Sequence, residues 1–166
     1  DYPALPQMPS ATGTITSEKF AQAINQVVVA AGRDELLPVF TGVRVEIEGD
    51  TLSLLATDRY RMALKELSWR PASSSASGAA LVPARVLSEA ARSMAGGEAV
   101  TVALSSTDAG EGLIGLEGES NGGNRQLTTR LLSGEFPKVR HLMDIKPTVA
   151  VRCKTEEIIA SVKRVA

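Results

Sequence analysis

The sequence has 166 residues, a net charge of −1, 43% hydrophobic residues and one cysteine. That length is enough for one domain with a buried core. The near-neutral charge argues against a strongly basic nucleic-acid binder, although a basic face can still lie opposite an acidic one. A single cysteine excludes an internal disulfide framework and a cysteine-based zinc site, and Cys153 is expected to be a small buried residue.

The sequence contains no apolar run of the roughly 20 residues that cross a bilayer, and no signal-peptide pattern. It therefore predicts a cytoplasmic protein. The opening DYPALPQMPS has a proline at every third position (Pro3, Pro6 and Pro9), which favours an extended path. With no initiator methionine, residues 1–11 are interpreted as an interdomain linker and the chain as a piece of a longer protein.

The first half of the sequence, about residues 12–70, predicts a strand, a helix and three further strands. TGTIT suits a short strand, and Thr16 or Ser17 can cap a helix that begins at Glu18 and ends at Gly32. Alternating apolar residues then predict a hairpin over 43–56 with a turn at Gly49-Asp50. A third strand is expected over 60–67.

The second half repeats the same order, after a flexible connector of small residues at 71–78. Within residues 79–133, AALVP predicts a strand, residues 84–94 a helix stopped by two glycines, and AVTVALS, GLIGLEG and RQLTTRLL three strands. NGGN (121–124) makes the last turn. The sequence thus predicts an α+β fold built from a duplicated β-α-β-β-β unit, and a duplication implies pseudo-symmetric packing.

The helix surfaces carry a weak charge pattern. If both helices pack on one face of antiparallel sheets, Lys19, Arg85 and Arg92 share one surface, while acidic residues cluster along EIEGD and GEGLIGLEGES. Glu18 and Glu89 also lie on the helices. A mildly basic face and ordinary solvated helix faces therefore both remain open.

The end of the sequence opens a third unit. LLSGEFPKVRHLMDIKP leaves the last strand through a turn at Gly134 and a Phe136-Pro137 step. TVAVRCKTEEIIASVKRVA then predicts a strand, a Thr155 cap with Glu156 and Glu157 in the first turn, and an amphipathic helix.

Residues that could support catalysis are few. His141 is the single histidine, and a triad with Asp144 and a serine lacks the G-x-S-x-G elbow. There is no H-E-x-x-H, EF-hand or P-loop motif, and the glycines at 110, 112, 115 and 118 suit turns. Glu46 and Glu48 share a strand face with no sign of the desolvation that shifts a pKa. The sequence predicts a non-catalytic protein without cofactor or metal, and an enzyme is the weakest hypothesis.

Two motifs carry a family resemblance: ATDRYRMA (56–63) and TTRLLSGEFPKVRHL (128–142). In this order, within the duplicated unit, they resemble the middle domain of the bacterial DNA polymerase III β subunit, the replicative sliding clamp. The resemblance assigns residues 1–11 to the linker and 12–145 to the middle domain, with pseudo-repeats at about 12–70 and 79–133. Residues 146–166 resemble the first strand and helix of a truncated third domain.

The resemblance implies a DNA-clamp fold and a processivity factor. In that family two three-domain subunits close head to tail into a homodimeric ring around duplex DNA and tether the polymerase. Weak phosphate contacts suit sliding, because each neutralised phosphate strengthens binding. Four basic residues are accordingly expected to face DNA without reading its sequence: Lys19, Arg33, Arg85 and Arg92. The chain by itself is not expected to close a ring.

The resemblance also implies a hydrophobic pocket beside the third domain. It docks short linear motifs, of the Gln-x-x-Leu-x-Phe kind, from the polymerase III alpha subunit, the clamp loader and repair proteins. The matching residues are Phe40, Thr57, Arg59, Tyr60, Arg61, Met62, Pro137, His141 and Leu142. Apolar members would form the walls, and Arg61 would orient a peptide carbonyl or carboxylate. By the residues alone, Met62 and Leu142 could instead be core and Arg61 a strand cap.

Two positions depart from the family pattern. Arg59 stands where many relatives carry glycine or another small residue, and His141 where a longer basic or amide side chain is common. The peptide preference is expected to differ accordingly. The alternative function is a free-standing peptide-binding module that never surrounds DNA.

Overall fold

The computed structural model describes residues 7–106, 112–120 and 122–166. Both predicted repeats are present. The first comprises β1 (Gly13–Thr16), α1 (Ser17–Val28), β2 (Gly42–Glu48), β3 (Thr51–Thr57) and β4 (Met62–Ser68). After a short strand β5 (Arg70–Pro71), the second comprises β6 (Ser77–Pro83), α2 (Ala84–Ser93), β7 (Ala99–Ser106), β8 (Gly112–Ser120) and β9 (Gly123–Arg130). A third helix, α3, spans Thr155–Val165.

The two repeats exchange their first strands. One antiparallel sheet has the order β5-β1-β7-β8-β9 and the other β4-β3-β2-β6. Strand β1 of the first repeat therefore pairs with β7 of the second, and β6 of the second pairs with β2 of the first. This confirms the duplicated unit and makes each sheet a product of both repeats.

The core lies between the helices and the inner faces of both sheets. Strand β2 alternates as predicted, with Val43, Val45 and Ile47 buried and Arg44 and Glu46 on the opposite face. Helices α1 and α2 contact each other, α1 also packs on β1, β3, β4 and β7, and α2 packs on β6. Their apolar stripes merge into one cluster, which confirms the prediction that both helices cover the same side of the sheets.

Local sequence signals fixed several boundaries. The Thr16 hydroxyl accepts from the backbone N–H of Lys19 at 3.4 Å, so Thr16 is the N-cap of α1. Gly49 at the hairpin turn has φ +57° and Gly122 has φ +81°, both in the left-handed region that favours glycine. Of the predicted NGGN turn, Asn121 lies outside the described residues, as do residues 1–6 of the proposed linker and Gly110 and Glu111 of the acidic stretch.

Several boundaries differ from the predictions, among them that of β9, which begins at Gly123 inside the predicted NGGN turn and ends at Arg130. Helix α1 ends at Val28, and residues 29–31 continue as a tighter turn in which the N–H groups of Ala30 and Ala31 donate to carbonyls three residues back. The third strand begins at Met62 because residues 58–61 form a turn. The connector at 71–78 is shorter than predicted, since its ends pair in β5 and β6.

The segment after β9 lies across the outer face of the four-stranded sheet. The N–H of Leu132 donates to the carbonyl of Leu81 at 2.8 Å. Phe136 is 5% exposed and packs with Leu55 and Leu81 in a second apolar cluster. Gly134 has φ +122°, and a Cβ there would lie 2.6 Å from Val39, so the predicted turn requires glycine. This segment carries residues 137–142 toward the end of β3.

The predictions for residues 148–155 are wrong in three respects. Residues 148–154 form no strand, because a strand needs a hydrogen-bonded neighbour and none of the described strands pairs with them. Thr155 is the first residue of α3, and the N-cap is Lys154, without a side-chain cap. Cys153 is exposed, since nothing in the described chain packs over this segment.

Candidate functional site

The motif at residues 57–61 folds into a turn held by two side chains. The Thr57 hydroxyl accepts from the N–H of Arg59 at 3.1 Å and donates to the carbonyl of Arg61 at 2.8 Å. Oδ1 of Asp58 accepts from the N–H groups of Tyr60 and Arg61, both at 3.0 Å. These short polar side chains compete well for local backbone groups, which explains why the strand stops here.

Asp58 is held in its charged form. The N–H of Arg61 lowers the pKa of the Asp58 carboxyl most strongly, and loss of hydration opposes it as the next largest effect. The N–H of Tyr60 and the Arg61 guanidinium lower the pKa further, so the net shift is downward. Nε of Arg61 lies 3.1 Å from Oδ2 of Asp58. The carboxylate therefore stabilises the turn and also holds the Arg61 guanidinium through its Nε.

Arg59 occupies an unusual backbone conformation. Its φ is +83°, and it is the only non-glycine residue of the described chain with a positive φ. Its guanidinium carbon lies 5.7 Å from the ring centroid of Phe40 and 5.7 Å from that of Tyr60. Both distances permit cation–π attraction. The motif's arginine and aromatic ring thus form part of one cluster at the surface, where Tyr60 is 89% exposed.

The turn forms one wall of a cavity of about 340 Å³, and the segment after β9 forms the other. Its lining is Phe40, Thr57, Arg59, Tyr60, Arg61, Met62, Pro137, Val139 and Leu142. Eight of the nine residues proposed from the sequence therefore surround one cavity. Leu142 is 53% exposed and Met62 half-buried, and neither belongs to a buried cluster.

The predicted and the observed lining of this cavity differ at two residues, Val139 and His141. Val139 lines the cavity but carried no motif that could single it out, whereas His141 is not among its lining residues. A short 3₁₀ turn over Arg140–Met143 aims successive side chains in different directions. His141 lines a neighbouring cavity of about 480 Å³, with Arg44, Glu46 and Leu55. The two cavities share Pro137 and Val139.

A second neighbouring cavity, of about 400 Å³, adjoins the turn on its other side. It shares Phe40, Arg59, Tyr60 and Arg61 with the 340 Å³ cavity. The remainder of its lining comes from the loop after α1 and from Asp58: Ala31, Gly32, Arg33, Asp34, Leu37 and Asp58. We call the 340 Å³ cavity the apolar cavity and the 400 Å³ cavity the polar cavity. The Arg59 and Tyr60 side chains belong to both.

The four basic residues expected to face DNA are all exposed. Arg33 and Arg85 line one cleft of about 490 Å³ between the end of α1 and the start of α2. Lys19 lies in the first turn of α1 and Arg92 in the last turn of α2. Glu18 and Glu89 are exposed on the same helices. The helix surface is therefore only weakly cationic, and the structure leaves both interpretations of it open.

The described residues give little support to a metal site, to a catalytic pair of His141 with Asp144, or to a membrane-spanning helix. Among the described residues, no three acidic, histidine or cysteine side chains cluster as metal ligands would. The recorded bond between Asp144 and His141 is main-chain, from the Asp144 N–H to the His141 carbonyl at 3.2 Å. No helix in the described chain has the length and apolarity needed to span a membrane.

The fold is that of DNA polymerase sliding clamps. The solved clamp from Bacillus subtilis superposes with a TM-score of 0.79 at 23% identity, over 99% of this chain and 41% of that one. A Pseudomonas aeruginosa clamp, solved bound to griselimycin, superposes with a TM-score of 0.70 at 21% identity, over 89% of this chain and 38% of that one.

Sequence comparison gives the family. A profile of the DNA polymerase III beta subunit, central domain, matches residues 14–138. The beta sliding clamp of Streptomyces coelicolor is 50% identical over all 166 residues. The chain belongs to the central-domain family of the DNA polymerase III beta subunit, which confirms the resemblance carried by the two motifs. It spans 43% of the length of the Streptomyces relative.

Proposed function

We propose that the protein carrying this chain is a DNA sliding clamp that encircles duplex DNA and tethers the replicative polymerase. Its role is topological, so it needs no catalytic group. The family membership and the clamp fold support this proposal, and the weakly cationic helix surface suits a protein that must slide. We place it in the cytoplasm, at replication forks.

We further propose that the apolar cavity docks short linear peptides from the polymerase alpha subunit, the clamp loader and repair proteins. The observation that carries this is the meeting of residues 57–62 with residues 137–142 around one exposed cavity. Phe40, Met62 and Leu142 offer apolar surface, and Met62 can adapt to different side chains. Arg61 lies beside them and can pair with a peptide carbonyl or carboxylate.

The pocket can be tested by titrating a fluorescent Gln-x-x-Leu-x-Phe peptide against the chain and against an Arg61→Ala, Met62→Ala double variant. We expect saturable binding that is lost in the variant. Arg125→Ala is a matched control, because Arg125 is an exposed arginine on β9 outside the cavity. Binding that survives in the double variant would contradict this placement of the pocket.

Lys19, Arg33, Arg85 and Arg92 are proposed to face the DNA, and retention on circular DNA tests the ring. The complete gene product should stay on closed circular DNA and slide off after linearisation. The free-standing peptide module predicts no difference between the two. That alternative is favoured only by the exposed cavity, which needs no ring to bind a peptide.

We propose that residues 12–145 form the clamp's middle domain and residues 146–166 begin a third domain. Helix α3 supports the second part because its apolar residues Ile158, Ile159 and Val162 are all about half exposed. An amphipathic helix is stable chiefly when its apolar face is covered. In the complete protein this face would lie in the third domain, and two such subunits would close head to tail.

A further inference from the structure

Arg59 combines two features that call for an explanation. A non-glycine residue with φ +83° is strained, and such strain persists where surrounding structure enforces it, often at functional sites. The surroundings that enforce it are visible: Thr57 accepts from the Arg59 N–H, and Asp58 holds the next two N–H groups. Glycine would fit this turn without strain, so the arginine side chain must contribute something else.

The turn places the Arg59 guanidinium at a fixed position. Two aromatic rings lie near it, those of Phe40 and Tyr60, each with its centroid 5.7 Å from the guanidinium carbon. Stacking on aromatic faces leaves the N–H groups at the edge of the guanidinium plane free to donate. Within the described chain, those N–H groups have no hydrogen-bond acceptor and no carboxylate within ion-pair distance. Arg61, by contrast, is already paired with Asp58.

Among the described residues, the guanidinium therefore has no ion-pair partner, and it lies on the wall between the apolar cavity and the polar cavity. If the apolar side chains of a peptide fill the apolar cavity, the next residue of that peptide would lie over this wall. We propose that Arg59 forms a subsite for an acidic side chain that flanks the apolar motif of the docked peptide. This inference rests on the proposed peptide-docking function and adds a specificity for charge.

The local charges favour a single carboxylate over nucleic acid. Asp34 and Asp58 also line the polar cavity, so several phosphates in a row would accumulate more repulsion there than a single carboxylate does. One carboxylate needs only one cation, and a planar guanidinium can bind it through two N–H groups. Arg33, which lies in the same cavity, adds to the attraction.

The test is a series of Gln-x-x-Leu-x-Phe peptides in which a single glutamate or, as its neutral partner, a glutamine is placed in turn at each flanking position. Affinities are measured by fluorescence anisotropy on the complete gene product. At one position we expect the glutamate peptide to bind about threefold to fivefold more tightly, as for an exposed ion pair. The preference should shrink in about 1 M salt.

The ratio between the two peptides is then measured in variants. Arg59→Gln should bring the ratio to about one, whereas Arg59→Lys should keep part of it, because a cation remains without the planar stack. Arg125→Gln removes an equal charge elsewhere and should preserve the ratio. Because the ratio compares two peptides on the same variant, any general loss of stability or of apolar binding affects both affinities equally and cancels.

Three results would overturn the subsite alone, and a fourth would overturn it together with the docking function. A glutamate preference that survives in Arg59→Gln would assign it to another group. No preference at any position, with the parent peptide still bound, would reject the subsite while leaving the docking function intact. Loss of oligonucleotide binding in Arg59→Gln, with the peptide ratio unchanged, would assign the guanidinium to phosphate. Failure of every peptide to bind the unchanged protein would remove the docking function and the subsite together.

Discussion

Nη1 of Arg140 lies 3.1 Å from Oε2 of Glu46, although the two residues are 94 positions apart in the chain. The other terminal nitrogen of Arg140 is paired with Glu66 on the edge strand β4. These contacts tie residues 137–142 to the outer face of the four-stranded sheet. Because Pro137, Val139 and Leu142 line the apolar cavity, the ion pairs help to set the position of its second wall.

Replacing Arg140 with alanine should therefore weaken peptide binding as well as the fold. Half-exposed ion pairs contribute up to about 1 kcal/mol each, so losing both should lower the free energy of unfolding by at most about 2 kcal/mol. We expect the affinity for the peptide to fall about threefold or more. Urea unfolding and anisotropy titration measure the two effects, with Arg125→Ala as the control. An unchanged affinity would show that the position of the second wall does not depend on the Arg140 ion pairs.

Phe136 anchors the same segment. It is 5% exposed between Leu55 and Leu81, so Phe136→Ala should cost about 3 kcal/mol in the free energy of unfolding. The loosened segment should also be cut faster by trypsin at Lys138, which is exposed and lies two residues further on. Mass spectrometry of the fragments locates the cut. Unchanged cleavage at Lys138 would mean that the segment is held by its other contacts.

The backbone at Arg59 should discriminate between replacements. A β-branched residue is poorly tolerated at φ +83°, whereas glycine adopts this conformation readily. We expect Arg59→Val to be less stable than Arg59→Gly by about 1–2 kcal/mol. Both variants lose the cation–π contacts, so the difference isolates the backbone effect. Equal stabilities in denaturant titration would show that the turn relaxes.

Asp58 should make the stability depend on pH. Its folded-state pKa is lowered, so the stabilisation is fully present above the ordinary carboxyl value of about 4 and is lost as the pH falls through the lower folded value. Asp58→Asn keeps an acceptor oxygen but removes the charge. The variant should be less stable near pH 7, and the difference should close below about pH 4. A difference independent of pH would contradict the charge as its source.

The 166-residue chain by itself should not form a closed dimer. Size-exclusion chromatography with light scattering is expected to give a mass near the 17.5 kDa of one chain. The exposed apolar face of α3 could cause concentration-dependent association, so the measurement needs a dilution series. A stable dimer at all concentrations would contradict the prediction.

Much of the local structure was predictable from the sequence. The hairpin turn at Gly49, the cap at Thr16 and the strand alternation around Val45 all follow from interactions within a few residues. The absence of a strand at residues 148–154 was not predictable in the same way. The alternation of this segment suits a strand, but a strand forms only when a neighbour supplies the hydrogen bonds.

The candidate site was predictable in part, through the resemblance of its two motifs to one family. The side-chain placement of His141 was not, because it depends on how a short 3₁₀ turn lies against the sheet. Val139 was missed for the same reason. Val139 also packs against the second apolar cluster, and the sequence does not show that part of it faces the cavity.

The sequence by itself determined the order of elements, their repetition and the family, because each is encoded in spacing and local motifs. Only the tertiary structure decided that the repeats exchange their first strands, that the Arg59 guanidinium approaches both Phe40 and Tyr60, and that Arg140 reaches Glu46. These features arise from contacts between segments far apart in the chain. Their geometry is fixed by packing and by the pairing of backbone groups, which no local pattern records.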